Sequence, residues 1–124
     1  MKTQDLRIGN FVSLSYMKGQ FFKVKELSEY HVYFSHVTEN YLSHTVYQYC
    51  EPIPLTEEWL KKFGFDVKHN GYQLNGILIK YNLKGGFVVD ISQCIGFVGL
   101  NYVHELQNLY HSLTREELTL KENT

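Results

Sequence analysis

The chain has 124 residues, of which 44% are hydrophobic and 20% charged, and its formal net charge is −1. A polypeptide of this length buries roughly two thirds of the surface that its unfolded form exposes, which excludes a disordered or fibrous protein. Near-neutrality also excludes a strongly basic nucleic-acid binder and an acidic solvating tail.

Alanine, the best helix former, is absent, whereas Val, Ile, Thr, Tyr, Phe and Trp together make up 42 of the 124 residues. Branched and aromatic side chains fit a pleated, half-buried surface, so strands are expected to outnumber helices. In chain order, Leu6 to Tyr16 is the first expected strand, with Gly9-Asn10 as a bend or bulge. Met17-Lys18-Gly19-Gln20 is expected to turn, and Phe21 to Leu27 to return with Phe22 and Val24 on one face and Lys23 and Lys25 on the other. After a break at Ser28-Glu29, Tyr30 to Val37 carries two interleaved sets, Tyr30, Val32 and Phe34 against His31, Tyr33 and Ser35. A turn at Thr38-Glu39-Asn40 and a poorly alternating strand from Tyr41 to Tyr49 follow. Short strands separated by tight turns describe a curled antiparallel sheet of the SH3-like kind.

Pro52-Ile53-Pro54 keeps its neighbours out of the helical region and marks a hinge. The segment Leu55-Thr56-Glu57-Glu58-Trp59-Leu60-Lys61-Lys62-Phe63-Gly64-Phe65 then carries every local sign of a two-turn helix. Thr56 is the N-cap, Glu57 and Glu58 sit where the helix dipole favours negative charge, and Leu55 and Leu60 are placed for a hydrophobic staple. Gly64 and Phe65 complete a Schellman end. Asn70-Gly71 and Asn75-Gly76 are hairpin dipeptides, so Tyr72 to Leu74, Ile77 to Tyr81 and Phe87 to Ile91 form an antiparallel meander, joined by a further strand within Ile95 to Val103. From Val103 the period changes: Val103, Leu106, Leu109, Tyr110 and Leu113 make one helical stripe, expected to lie over that meander. Thr114-Arg115-Glu116-Glu117 has the form of a capping box and is expected to begin a last turn.

Charge is blocked along the chain. Residues 1–25 hold five basic and one acidic side chain, 26–60 six acidic and no basic, and 61–84 five basic and one acidic. The fold class is therefore α+β in one domain, 1–124, with a subdivision into an N-terminal β part, 1–50, and an α+β part, 51–124.

No catalytic constellation emerges. His104-Glu105-Leu106-Gln107-Asn108 approaches a zinc-protease helix but has Asn108 where the second histidine ligand belongs. The other histidines, 31, 36, 44, 69 and 111, show no ligand spacing, and Cys50 and Cys94 form neither a CxxC pair nor a cluster with histidine. Both cysteines are expected to be buried thiols. Phosphate-binding glycine patterns and nucleophile elbows are also missing. No enzyme, metal or cofactor is expected. The polar start of the chain carries no secretory signal and no segment is long and apolar enough for a membrane span, so a cytoplasmic protein is expected.

One chemical pattern remains. Basic and aromatic residues interleave on the early strands at Tyr16, Lys18, Lys23, Lys25 and Tyr33, as on sheet faces that stack bases and attract phosphates. The same pattern serves sheet construction, because lysine guards edge strands and tyrosine fills half-buried positions, and only two arginines exist to clamp phosphates.

Three segments carry a resemblance: Leu6-Arg7-Ile8-Gly9-Asn10 at the start, Pro52 to Phe65 in the middle, and Tyr102-Val103-His104-Glu105-Leu106-Gln107-Asn108-Leu109-Tyr110 towards the end. Over about a third of its length the chain resembles a family of small uncharacterised proteins of gut bacteria, often encoded in prophages or other mobile elements. That resemblance implies an accessory gene product and assigns no activity, cofactor or site residue. The expected function is a non-enzymatic interaction module, contacting another protein or a second copy of itself through exposed aromatic and sheet-edge surface. The alternative is a weak nucleic-acid binder using the lysine and aromatic face.

Overall fold

The computed structural model describes residues 6–35, 44–69, 71–82, 85–90 and 97–121, and for Lys18, Phe97 and Val98 it describes the backbone. The fold is α+β and consists mostly of strands. Two five-stranded antiparallel sheets and one long helix fall into two compact units, Met1–Ile53 with Tyr102–Glu117, and Pro54–Asn101 with Leu118–Thr124.

The first unit holds β1 (Phe11–Leu14), β2 (Met17–Leu27), β3 (His31–Ser35), β4 (His44–Val46), a 3-10 turn at Tyr47–Tyr49 and β5 (Cys50–Glu51). The strand order β4-β3-β2-β1-β5, with the 3-10 turn before the last strand, is the connectivity of an SH3-like curled sheet. Alternation works as expected on β2 and β3: Phe22, Val24, Val32 and Phe34 are buried, Lys23 and Lys25 exposed. With Leu6, Val12, Leu14 and Cys50 they form one apolar cluster, where each large buried side chain contributes about 1.5–3 kcal/mol. The first hairpin turns earlier than expected. Leu14 pairs with Met17, so Ser15-Tyr16 makes a two-residue turn, and the expected turn at Met17 to Gln20 is strand. The expected strand up to Tyr49 is cut short, because β4 ends at Val46 and Tyr47–Tyr49 close into the 3-10 turn. The expected turn at Thr38-Glu39-Asn40 lies outside the described residues.

The long helix α2 (Val103–Thr114) belongs to this first unit, although its stripe is expected over the second meander. Polar chemistry explains the difference. Gln107, fully buried, accepts a hydrogen bond from the Phe11 backbone N–H at 2.8 Å and donates from Nε2 to the Gly9 carbonyl at 2.9 Å. Asn108 Oδ1 accepts from Asn10 Nδ2 at 2.8 Å and from Arg7 Nε at 3.1 Å, and Arg7 is also paired with Glu117. The Leu6-to-Asn10 and Tyr102-to-Tyr110 segments thus meet as one hydrogen-bonded latch. On the stripe, Val103, Leu106 and Tyr110 are buried, Leu109 is half-buried and Leu113 is exposed. Thr114 closes α2 and starts no further turn: Arg115 takes the left-handed conformation, φ 63°, and the Thr114 hydroxyl donates to the Tyr110 carbonyl at 2.8 Å.

In the second unit, α1 (Glu57–Lys62) forms where the local signals place it. Thr56 Oγ1 accepts from the Trp59 N–H, while Gly64 N–H donates to the Lys61 carbonyl and Phe65 N–H to the Leu60 carbonyl, which is the Schellman pattern. Glu57 and Lys61 are paired at 3.1 Å and the Lys62 ammonium lies 4.8 Å from the Trp59 ring centre. The sheet is a simple meander in the order β10-β9-β8-β7-β6: β6 (Asp66–Lys68), β7 (Gly71–Leu74), β8 (Ile77–Tyr81), β9 (Phe87–Asp90) and β10 (Phe97–Leu100). Asn75 and Gly76, with φ of 48° and 83°, form the expected tight turn between Leu74 and Ile77. Strand β6 is an addition to the sequence reading. Gly71 is the first paired residue of β7, opposite Lys68.

Cys50 lies in the first core, 2% exposed, and burial pushes its thiol up to about 11. Cys94 lies outside the described residues. The thiolate is the reactive species, so Cys50 is expected to resist alkylation in the native protein at pH 8, by about 100-fold or more relative to the urea-unfolded chain. Timed iodoacetamide labelling followed by peptide mass spectrometry measures this; equal rates in the two states would contradict the packing of β5 on β1.

Candidate functional site

The described side chains of the lysine and aromatic pattern, those of Tyr16, Lys23, Lys25 and Tyr33, do not form one surface. Tyr16 sits at the tip of the β1–β2 turn, Lys23 and Lys25 lie on β2, and Tyr33 lies on β3; for Lys18 only its backbone place in β2 is described. Period-2 alternation divides them. Tyr33 faces away from the Val32 and Phe34 side of the sheet, and its ring lies 6.3 Å from His31 and 5.5 Å from His44 between centres. Lys23, paired in register with Ser35, shares that outer face, whereas Lys25 sits where the pairing slips between Val24 and Glu26. Glu26 is the direct register partner of Tyr33, so the positive charge of the face is partly offset where the rings lie.

Tyr16 belongs elsewhere. The sheet curls so far that the Tyr16 hydroxyl reaches Thr45 Oγ1 on edge strand β4 at 3.1 Å, and Thr45 is paired with Val32 on the inward side. The Ser15 N–H donates to the Tyr49 carbonyl at 3.0 Å, binding the hairpin tip to the 3-10 turn. The rings of Tyr16 and Tyr49 consequently stand edge to face, 5.4 Å apart at 84°. They remain 52% and 41% exposed. Tyr16 is held by its hydroxyl and Tyr49 by its backbone carbonyl, and both rings are nevertheless left in solvent, although an aromatic side chain ordinarily gains most by burial. Tyr49 escapes sequence reasoning because its strand does not alternate; the closely spaced tyrosines of Tyr47-Gln48-Tyr49 are the one local sign.

The second unit carries a cleft of about 480 Å³, lined by Val67 and Lys68 of β6, His69, Tyr72 of β7, and Lys80 and Tyr81 of β8. Behind it Tyr72 and Tyr81 share a hydrogen bond between hydroxyls at 3.0 Å, and Tyr81 donates to Glu57 Oε2 at 3.3 Å. Burial, and then the bonds to Tyr81 and Glu57, hold the Tyr72 phenol above its ordinary pKa. Glu57 is held below the usual carboxylate range, chiefly by its hydrogen bond to Lys61.

Among the described residues no group of three His, Cys, Asp or Glu side chains is arranged to hold a metal ion. His104 is buried on α2 and stacks on Tyr102 at 5.9 Å, as a packing residue of that helix. No helix of the described residues is long and apolar enough to cross a membrane. No family model matches the chain, and no curated protein or solved structure matches it significantly.

Proposed function

We propose that the protein is a non-enzymatic interaction module that binds an extended segment of a partner protein across Tyr16 and Tyr49. The carrying observation is the exposed edge-to-face pair, with Tyr16 held through its hydroxyl and Tyr49 through its backbone. Tyrosines held in one geometry offer large contact area at little further entropy cost, which is why such residues dominate interface energetics. The neighbouring charge favours a basic segment: Glu51, on β5, follows Cys50 two residues after Tyr49. By the resemblance of the Leu6, Pro52 and Tyr102 segments, the module is read as a cytoplasmic accessory product of gut bacteria or their mobile elements.

A peptide library displayed on phage, selected on the wild-type chain and counter-selected on a Tyr16→Ala/Tyr49→Ala double variant, tests the reading. Selected peptides are expected to carry basic residues, to lose about tenfold or more in affinity on the double variant, and to keep it on Lys23→Glu/Lys25→Glu. A selection that fails to enrich, or peptides that bind all variants alike, would contradict it.

A second reading rests on the outer-face cluster of Tyr33, His31 and His44 beside Lys23, which offers ring faces and positive charge to single-stranded nucleic acid. It predicts binding to oligo-dT that falls steeply with salt and is lost in Lys23→Glu/Lys25→Glu. The Glu26 carboxylate opposite Tyr33 makes it the weaker of the two.

A further inference from the structure

We propose that the cleft of the second unit is a binding site for a mononucleotide, a ligand that joins one aromatic base to one phosphate. Its volume, about 480 Å³, lies within the usual range for small-molecule sites, roughly 300–1,000 Å³. Its lining combines the two kinds of group such a ligand needs. Lys68, His69 and Lys80 supply nitrogen donors, and no carboxylate appears among the described lining residues. Lys80 is held in place by Asp90 at 3.1 Å, whereas Lys68 and His69 are bridged to no acid among the described residues. Among the described lining residues, the uncompensated positive charge of the cleft is therefore that of Lys68.

Tyr81 provides the stacking platform. It is 60% exposed, and its ring is braced by Phe87 at 5.0 Å and by Tyr72 at 6.0 Å. Its hydroxyl is occupied by Tyr72 and Glu57, and Glu57 is itself paired with Lys61, so that carboxylate is already neutralised. Gly71, opposite Lys68, adds no side chain between the two lysines; a Cβ there would lie 3.4 Å from the Lys80 Cγ. A phosphate held by Lys68 and His69 and a base laid on Tyr81 satisfy both halves of the lining. A bare anion would leave the ring idle, and a neutral aromatic would leave the charges so.

Titration of the full ¹⁵N-labelled chain with AMP, adenosine and inorganic phosphate, followed by amide chemical shifts, tests this assignment. AMP is expected to move the amides of residues 67–72 and 79–82 and to bind about tenfold more tightly than adenosine or phosphate, since each of those keeps one of the two contacts. Lys68→Ala and Tyr81→Ala are each expected to weaken AMP by about fivefold or more, while Lys23→Ala and the Tyr16→Ala/Tyr49→Ala pair leave it unchanged. Lys68 is exposed, so its replacement leaves folding intact, and the dispersion of the amide spectrum verifies this for both variants. The absence of any shift at millimolar AMP, shifts shared equally by lysines of both units, or phosphate binding as well as AMP would each overturn the proposal.

Discussion

Replacing Gln107 by leucine is expected to lower the unfolding free energy by about 2–5 kcal/mol, a large fraction of the total stability of a domain. Shape is nearly conserved, so the loss comes from hydrogen bonding. Gln107 is fully buried, and its two amide atoms satisfy the N–H of Phe11, the first residue of β1, and the carbonyl of Gly9 just before that strand. With leucine both backbone groups would stay buried without a side-chain partner, each costing about 1–3 kcal/mol. The neighbouring ion pair provides the contrast. Arg7 and Glu117 are 30% and 41% exposed, and Glu117→Ala is expected to cost under about 1 kcal/mol. Urea denaturation followed by far-ultraviolet circular dichroism separates the two cases. Equal effects would mean that α2 is held by surface charge and not by the buried amide.

The other large effect is expected at Gly71. Its φ of 145° lies in a region that residues with a side chain rarely adopt, and an added Cβ would meet the Ile79 carbonyl oxygen at 2.3 Å. That oxygen belongs to the backbone of the next strand and cannot swing aside. Gly71→Ala must therefore push β7 away from β8 or change the conformation of the chain where the β6–β7 hairpin closes. A cost of about 3 kcal/mol or more is expected from backbone strain and overpacking together. Gly76→Ala is the control: φ is 83°, the space around it is open, and only the ordinary left-handed penalty of about 1 kcal/mol applies. Thermal unfolding of the two variants ranks them. A Gly71→Ala protein as stable as Gly76→Ala would show that β7 and β8 do not approach as closely as described.

Much of the scaffold was legible because its causes are local. Helix α1 needs only Thr56, the acidic first turn and Gly64-Phe65, all within ten residues, and the Asn75-Gly76 turn needs only two residues that tolerate positive φ. The alternation of Phe22 and Val24 against Lys23 and Lys25 likewise decides a face without reference to the rest of the chain. What escaped depends on distant partners. The stripe of α2 shows that a helix covers something, but which sheet it joins is decided by Gln107 and Asn108 meeting Gly9, Phe11, Asn10 and Arg7, some hundred residues earlier in the chain. Strand β6 has three residues, all exposed, and its hydrophobic pattern is too short to register. The candidate site was half visible: Tyr16 stood out, but the fold separates it from Lys23 and Tyr33 and gives it Tyr49 and Thr45 as neighbours. Sheet curl, which brings a hairpin tip to an edge strand, leaves no periodic mark in a sequence.

The binding-module account is tested most directly by the footprint of a selected basic peptide on the protein, read from amide protection against hydrogen exchange at two salt concentrations. Protection is predicted at residues 13–17 and 45–51, around Tyr16 and Tyr49, weakened at high salt as the attraction of Glu51 for the basic peptide is screened, but retained through the two rings. Protection at residues 23–35, disappearing as salt is added, would contradict it and favour the lysine face.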